Sequence, residues 1–527
     1  MVLGPGESRV VRIDVSAEQM SFQDDSSAAG VWRVVNGRYQ IRVGDSSVTD
    51  TLTADVRVEY TEDAHEPSAA TAHTLKTDDS STPTLVDHPI VSSAAATYLD
   101  GCDWTATNVG GPLEGLRVNA TVPGDILSDL QRAGHIADPY WNVSWRDPSL
   151  IAAWNNGSWS FTKHFATPAG PSGQEVLLSF DGVYMGATIE LNGQRLSATI
   201  DPVVGNTSGA TDQFYRYIFK VGAVLLPAGG KSNELVVTFG QAENRSPGTS
   251  GGRFTFSNAI DWAPQMLTRD PDGKATFSFG IWKSVSLIPL GAHGIAITDV
   301  APLTFYSGEH PTEMLSDTDH KGFTVNVTID VFAAAALASA VVSVEGSWPG
   351  AAAVSQPTPL KAGSNAVTLS IPRSQTMKVR LWHPRGHGAQ PLYNISASVS
   401  PAAGAVPVTA RRRLGFRHIA LVTINDTNST LAAAAQTQEG TGDFTLMLRR
   451  SSNGLPTISQ RSSDPGSLLP TGVNGAPVYA RGGSMIPMDL MNGRLNAEAH
   501  RRLVQSASEG SFTIMRIWGG GVYMPRT

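Results

Sequence analysis

The residues best suited to binding chemistry stand in the run Met515-Arg516-Ile517-Trp518-Gly519-Gly520-Gly521-Val522-Tyr523-Met524-Pro525. Apolar residues around Arg516 fit a buried strand, and the glycines that follow let the backbone leave that strand and turn sharply. An indole at such a strand end, Trp518, can stack on the apolar face of a pyranose ring, or it can plug the core at the strand mouth. Arg516, on the same strand face, can donate to a hydroxyl, orient a carboxylate, or close a structural ion pair. General acid/base or nucleophilic catalysis beside them would call for carboxyls. The acids nearest in sequence are Asp489, Glu498 and Glu509. Glu498 and Glu509 fall on a predicted helix and read as solvated, and Asp489 reads as a cap or loop tether, so no catalytic residue is assigned.

The elements around this tail follow from periodicity. A short strand is predicted over Pro477 to Arg481 and a helix from about Asn496 to Glu509, with Leu495, Ala499, Leu503 and Ala507 forming one apolar stripe. Gly510 ends the helix, and Phe512 to Trp518 is the next strand. Strand, helix and strand in this order predict a βαβ unit, the opening of a parallel α/β fold.

Upstream the pattern is that of strands and turns. Only 16% of residues are charged, while Gly and Pro number 52 and 32, so a mainly β protein is expected. A formal net charge of -7 argues against nucleic acid or an anionic membrane as partner. The one cysteine, Cys102, forms no internal disulfide, and no zinc-ligand spacing is present; neither a metal nor a cofactor is expected. Asn-X-Ser/Thr triplets at Asn119, Asn142, Asn156, Asn206, Asn244, Asn326, Asn394, Asn425 and Asn428 point to the secretory pathway, although the amino terminus has no apolar signal-like region.

The first 61 residues hold short apolar runs, Val10 to Val15 and Tyr39 to Val43, with Asn36-Gly37 as a hairpin signal before the second. Residues 62–97 are rich in Ser, Thr, Ala, Asp and Pro and read as linker. Alternation resumes in Glu175 to Phe180, passes a turn at Asp181-Gly182, continues through Ala187 to Leu191, and meets the turn signal Asn192-Gly193. Phe214 to Val221 and Glu234 to Phe239 complete a sandwich over 98–293. A second, immunoglobulin-like sandwich over 294–425 is read from Thr324 to Ile329 and Ala366 to Ile371. Ala333 to Ala340 has helical propensity but no cap and is kept beside a strand. Residues 426–527 then contain a lead-in, a polar loop at Ser451 to Gly472, and the βαβ unit.

The order of motifs from Asp100 to Pro525 resembles a family-two glycoside hydrolase of the β-mannosidase type. The likeness rests on Val122-Pro123-Gly124-Asp125, Asp138-Pro139-Tyr140, Phe180-Asp181-Gly182-Val183, Asp261-Trp262-Ala263-Pro264, Gly280-Ile281-Trp282-Lys283, Leu381-Trp382-His383-Pro384, Gly415-Phe416-Arg417, Asn474-Gly475-Ala476-Pro477, Ile486-Pro487 and Arg516 to Gly521. The first 60 residues resemble the fibronectin-type-III-like module that closes many family-three β-glucosidases.

The resemblance implies a jelly-roll sandwich, an immunoglobulin-like sandwich and a (β/α)8 barrel that removes terminal non-reducing β-mannose with two glutamates ~5 Å apart, by a retaining mechanism. A full barrel takes about 250 residues, so the chain is expected to hold only its first βαβ part. No glutamate here matches either catalytic position, and the chain alone is expected to be inactive. The resemblance also implies that Asp261 grips hydroxyls of the terminal sugar, with Trp262 beside it; the alternative is a loop tether. The position before Asp261 is often aromatic in the family and is Ile260 here, and Ser484 stands where an asparagine is usual. Trp382, His383 and Pro384 read as a packing corner. The expected substrate contacts are therefore Asp261, Trp262, Arg516 and Trp518, for a β-mannoside or oligosaccharide. Competing readings are a non-catalytic carbohydrate-binding scaffold and another family-two specificity.

Overall fold

The computed structural model describes residues 21–24, 31–34, 37–44, 50–58, 96–110, 113–138, 158–168, 174–184, 186–200, 210, 213–240, 280–290, 294–308, 311, 314–402, 404–421, 471–478, 481–485, 489, 491–495 and 497–517. They fall in two compact units, Met1–Thr84 and Leu85–Thr527.

The first unit holds two antiparallel pairs, β1 (Ser21–Asp24) with β2 (Val31–Val34), and β3 (Gly37–Gly44) with β4 (Asp50–Val58). The strand expected at Tyr39 to Val43 is therefore present as β3. Its partner lies downstream, since the register sets Tyr39 opposite Val56, Ile41 opposite Ala54 and Val43 opposite Leu52. The Asn36-Gly37 signal does not join β2 to β3 in one sheet. Val10 to Val15 lies outside the described residues.

The second unit begins with β5 (Thr97–Tyr98), β6 (Gly101–Val109), β7 (Arg117–Val122), α1 (Ile126–Arg132), β8 (Ser158–Phe165), β9 (Val176–Phe180), β10 (Ala187–Leu191), β11 (Gln194–Arg195), β12 (Tyr217–Lys220), β13 (Asn233–Phe239) and β14 (Val285–Pro289). They build a six-stranded sheet, β11-β10-β13-β8-β6-β7, facing a four-stranded one, β12-β9-β14-β5. Inward positions alternate along β8, β10 and β13, and their Trp159, Phe161 and Phe239 share one buried core with Trp104, Phe180 and Phe219 of neighbouring strands. β9 and β14 are buried at every position. Their outward residues Leu177 and Ile288 pack with Ala296 and Phe332 of the next sandwich, which explains why their apolar runs do not alternate. The turn at Asp181-Gly182 carries the chain from one sheet to the other. Asn192 and Gly193, with φ of 51° and 75°, make the tight turn between β10 and β11 that the dipeptide signals.

The second sandwich has β15 (Ile295–Tyr306), β16 (Phe323–Ala333), β17 (Val341–Gly346), β18 (Val354–Pro357), β19 (Gly363–Ile371), β20 (Tyr393–Ser400) and β21 (Val408–Leu414). A three-stranded sheet, β15-β16-β19, faces a four-stranded one, β18-β17-β20-β21. Phe416 centres its core, with ring centroids 5.3 Å from Phe323 and 5.0 Å from Trp348. The alanines after β16 form no helix; they lead directly to β17.

Three short strands follow: β22 (Ile419–Leu421), β23 (Thr471–Val473) and β24 (Ala476–Val478), paired in that order. β22 falls in the range read as the second sandwich, yet it pairs with this hairpin. β25 (Gly482–Met485), α2 (Ala497–Glu509) and β26 (Ile514–Ile517) then give the expected βαβ unit, with β25 and β26 parallel. Its first strand is not Pro477 to Arg481 but starts at Gly482. A Cβ at Gly482 would stand 1.8 Å from the Ile514 carbonyl oxygen, so glycine permits the strands' close approach while hiding the strand from propensity. Ala499, His500, Leu503 and Ala507 form the covered side of α2. The architecture is thus mainly β, with two sandwiches followed by one parallel unit. Of the polar loop expected at Ser451 to Gly472, residues 451–470 lie outside the described residues, and the last two belong to β23.

Candidate functional site

The carboxyl ends of β25 and β26 lie side by side, with Ser484 opposite Arg516 and Met485 opposite Ile517. Arg516 is exposed, and its Nη1 donates to the Ser484 hydroxyl at 3.4 Å. The guanidinium thus stands at the strand ends where parallel barrels build their sites, with donor capacity left over. Of the expected substrate contacts, Arg516 alone is among the described residues. Asp261, Trp262 and Trp518 lie outside them.

The acids after the second sandwich take up other work. Asp489 Oδ1 accepts from the Met491 N–H at 2.9 Å and its Oδ2 pairs with Arg494 Nε at 3.1 Å, which makes it a loop tether. Glu509 accepts from Gln505 Nε2 at 2.7 Å one turn away on α2. Glu498 sits on the same helix.

The loop between β25 and α2 is fastened to the first sandwich. Met491 is fully buried in that sandwich's core. Asn492 Nδ2 donates to the Tyr184 hydroxyl, the Gly493 N–H donates to Asp125 Oδ2 at 2.6 Å, and Arg494 Nη1 reaches Asp138 at 3.4 Å. Asp125 caps α1 by accepting from the Ser128 N–H at 3.0 Å. One turn on, Asp129 accepts from the Thr121 N–H at 3.1 Å and from Arg132 Nη1 at 2.8 Å, while its Oδ2 is buried with no hydrogen-bond partner. Burial first, and the neighbouring Asp125 charge second, push the Asp129 carboxyl up to about 7. Burial also raises the Tyr184 phenol. The signal for Asp125 was present in the sequence, as an acid directly before the apolar pattern of α1, but nothing there showed its second partner 368 positions away.

Trp382 and His383 form the packing corner that was expected. The Arg417 guanidinium lies 4.6 Å from the Trp382 ring centroid. His383 is buried against Asn474, with its Nδ1 3.4 Å from Asn474 Nδ2, and burial lowers its pKa.

Comparisons with known proteins show what this arrangement is similar to. Residues 104–283 match the glycosyl hydrolase 2 galactose-binding domain-like family, and residues 1–47 match the fibronectin type III-like domain. Curated relatives include Beta-mannosidase A of Aspergillus aculeatus, 25% identical over 77% of this chain and 40% of its own length. Beta-mannosidase of Rattus norvegicus is 24% identical over 82% of this chain and 43% of its own. The likeness is to the β-mannosidase type of family-two glycoside hydrolases.

Solved structures share the fold. Beta-D-mannosidase from Dictyoglomus thermophilum superposes with a TM-score of 0.57 at 22% identity, covering 82% of this chain and 45% of that one. The exo-chitosanase CsxA of Amycolatopsis orientalis gives 0.51 at 18% identity, covering 82% and 41%. The chain spans about two fifths of the length of the curated β-mannosidases it matches. Within it, the galactose-binding-like match contains Asp125, Asp129, Tyr184, Asp261 and Trp262, whereas Ser484 and Arg516 lie beyond it.

Proposed function

We propose that this chain carries the sugar-recognition part of a retaining glycoside hydrolase that removes terminal, non-reducing β-D-mannose. The observation that supports it most is the β-mannosidase likeness running across both sandwiches and into the parallel unit whose strand ends hold Ser484 and Arg516. Arg516 donates to ring hydroxyls, Trp518 stacks on the sugar face, and Asp261 with Trp262 grips the terminal residue. The layout proposed is a fibronectin-III-like piece at 1–61, a linker at 62–97, sandwiches at 98–293 and 294–425, and the barrel start at 426–527.

Retaining hydrolysis requires an acid/base and a nucleophilic carboxylate about 5 Å apart. Asp489 is committed to Arg494 and a backbone amide, and Glu509 to the outer helix. On this reading residues 1–527 bind a β-mannoside without cleaving it. The protein belongs to the secretory pathway, with exposed sequons at Asn119 and Asn394 as glycan acceptors. No helix among the described residues is long and apolar enough to cross a membrane.

Titration calorimetry of the chain with methyl β-D-mannoside, methyl β-D-galactoside and methyl β-D-glucosaminide tests the recognition claim. Saturable binding that favours the mannoside supports it. Equal binding of all, or preference for another sugar, moves the chain to a different specificity.

A further inference from the structure

Asp125 is fully buried, and its carboxylate joins two parts of the chain. Oδ1 accepts from the Ser128 N–H at 3.0 Å; Oδ2 accepts from the Ser128 hydroxyl at 2.7 Å and from the Gly493 N–H at 2.6 Å. A buried carboxylate held by N–H and O–H donors makes strong hydrogen bonds, and losing one leaves charge without compensation. Gly493 can approach because it lacks a side chain: a Cβ there would stand 2.6 Å from Ser128 Cβ and 3.2 Å from Asp125 Oδ2. Beside it, Asn492 donates to Tyr184, and Met491 fills the sandwich core.

The same corner anchors a third piece. Gly280 directly follows, in sequence, the segment that contains Asp261 and Trp262. A Cβ at Gly280 would stand 2.5 Å from the Gly124 carbonyl oxygen and 2.8 Å from Asp125 Cα. Gly124 N–H donates to the Ile281 carbonyl at 2.9 Å, and Tyr184 N–H to the Gly280 carbonyl at 3.1 Å. The root of the Asp261 segment and the first β-to-α loop thus meet on one residue. That loop leaves β25 at the end where Ser484 and Arg516 stand.

We propose that Asp125 is a positioning residue that, through the Gly493 N–H, fixes the first β-to-α loop to the sandwich and so sets the spacing between Gly280 and the Arg516 strand end. It touches no substrate. Its functional sense rests on the β-mannoside reading, whereas the bond itself does not.

Hydrogen exchange of the whole 527-residue chain, read by mass spectrometry, tests it with D125N. Asparagine can still accept from Ser128 and keep the α1 cap, but its amide cannot serve Gly493 as a second acceptor. Expected is exchange about tenfold faster across residues 489–495, with β17 and β20 unchanged. Should D125N not fold, G493A supplies the same test, because its methyl, pressed against Ser128, displaces the loop while the Asp125 carboxylate is retained. Exchange at 489–495 within about twofold of wild type, or protection lost equally in β17 and β20, overturns the proposal. Mannoside affinity is measured on the same samples, and D125N is expected to bind several-fold more weakly. Loosening confined to 489–495 supports the positioning role whether or not the wild-type chain binds mannoside. Failure of the functional reading is seen separately, as absence of binding by the wild type.

Discussion

Asn474 donates from Nδ2 to the backbone carbonyl of Trp382 at 3.0 Å, across 92 positions, and so ties the hairpin before the parallel unit to the corner of the second sandwich. The residue is fully buried and left-handed, with φ of 52°. Its Oδ1 accepts from the His418 N–H at 2.9 Å, its N–H donates to the His418 carbonyl at 2.8 Å, and its carbonyl accepts from the Leu315 N–H at 2.8 Å.

Asn474→Ala removes the side-chain bonds and puts alanine, which tolerates the left-handed region less well than asparagine, at φ of 52°. The expected loss is about 2–4 kcal/mol, read as a lower midpoint in urea unfolding of the chain. Asn474→Gly keeps the turn and should recover part of the loss. Equal midpoints for wild type and N474A would show that the tie contributes nothing.

Asp129 gives stability a pH dependence. Its folded pKa of about 7 lies above the unfolded carboxylate value, so the folded state binds the extra proton. The stabilisation is complete below the unfolded pKa and is lost as pH rises through about 7. Asp129→Asn should flatten the curve between about pH 4 and 8, the wild-type slope from this group being no steeper than about 1.4 kcal/mol per pH unit. Superimposable curves for the two proteins would contradict the assignment.

Gly482→Ala sets a methyl 1.8 Å from the Ile514 carbonyl oxygen. Parallel pairing of β25 and β26 should fail, at a cost of about 1–3 kcal/mol confined to this unit. Limited proteolysis should then cut between 482 and 517 while both sandwiches survive. An unchanged digestion pattern would mean that the strands have room to move apart.

Much of this architecture was legible because alternation and turn chemistry are local. Asn192-Gly193 specified its turn, and the apolar stripe through Ala499, Leu503 and Ala507 specified a helix. β25 was missed because its glycines carry no strand propensity; they are there for the approach of Ile514, a tertiary reason. The same limit hid Asp125 as a link. Its cap lies three residues on, but its other donor comes from Gly493, and sequence order cannot announce that pairing. Arg516 was singled out because an arginine inside an apolar run at a strand end is conspicuous, while its Ser484 partner follows only from the register.

Arg516 is exposed, so its replacement should leave the fold intact. Arg516→Ala is expected to weaken β-mannoside binding roughly tenfold, about 1.4 kcal/mol, and Arg516→Lys to restore little, since a forked donor is replaced by a point charge. Asp261→Asn should cost a similar factor. Unchanged affinity in both would remove them from the sugar site.

The most direct test of β-mannoside recognition without cleavage is one NMR experiment, saturation transfer from the 527-residue chain to p-nitrophenyl β-D-mannoside, followed over hours in the same tube. Transfer to the mannose ring protons, stronger than to those of the β-galactoside, with no free mannose accumulating, is the predicted result. Release of mannose by this chain, or transfer that favours the galactoside, would contradict it.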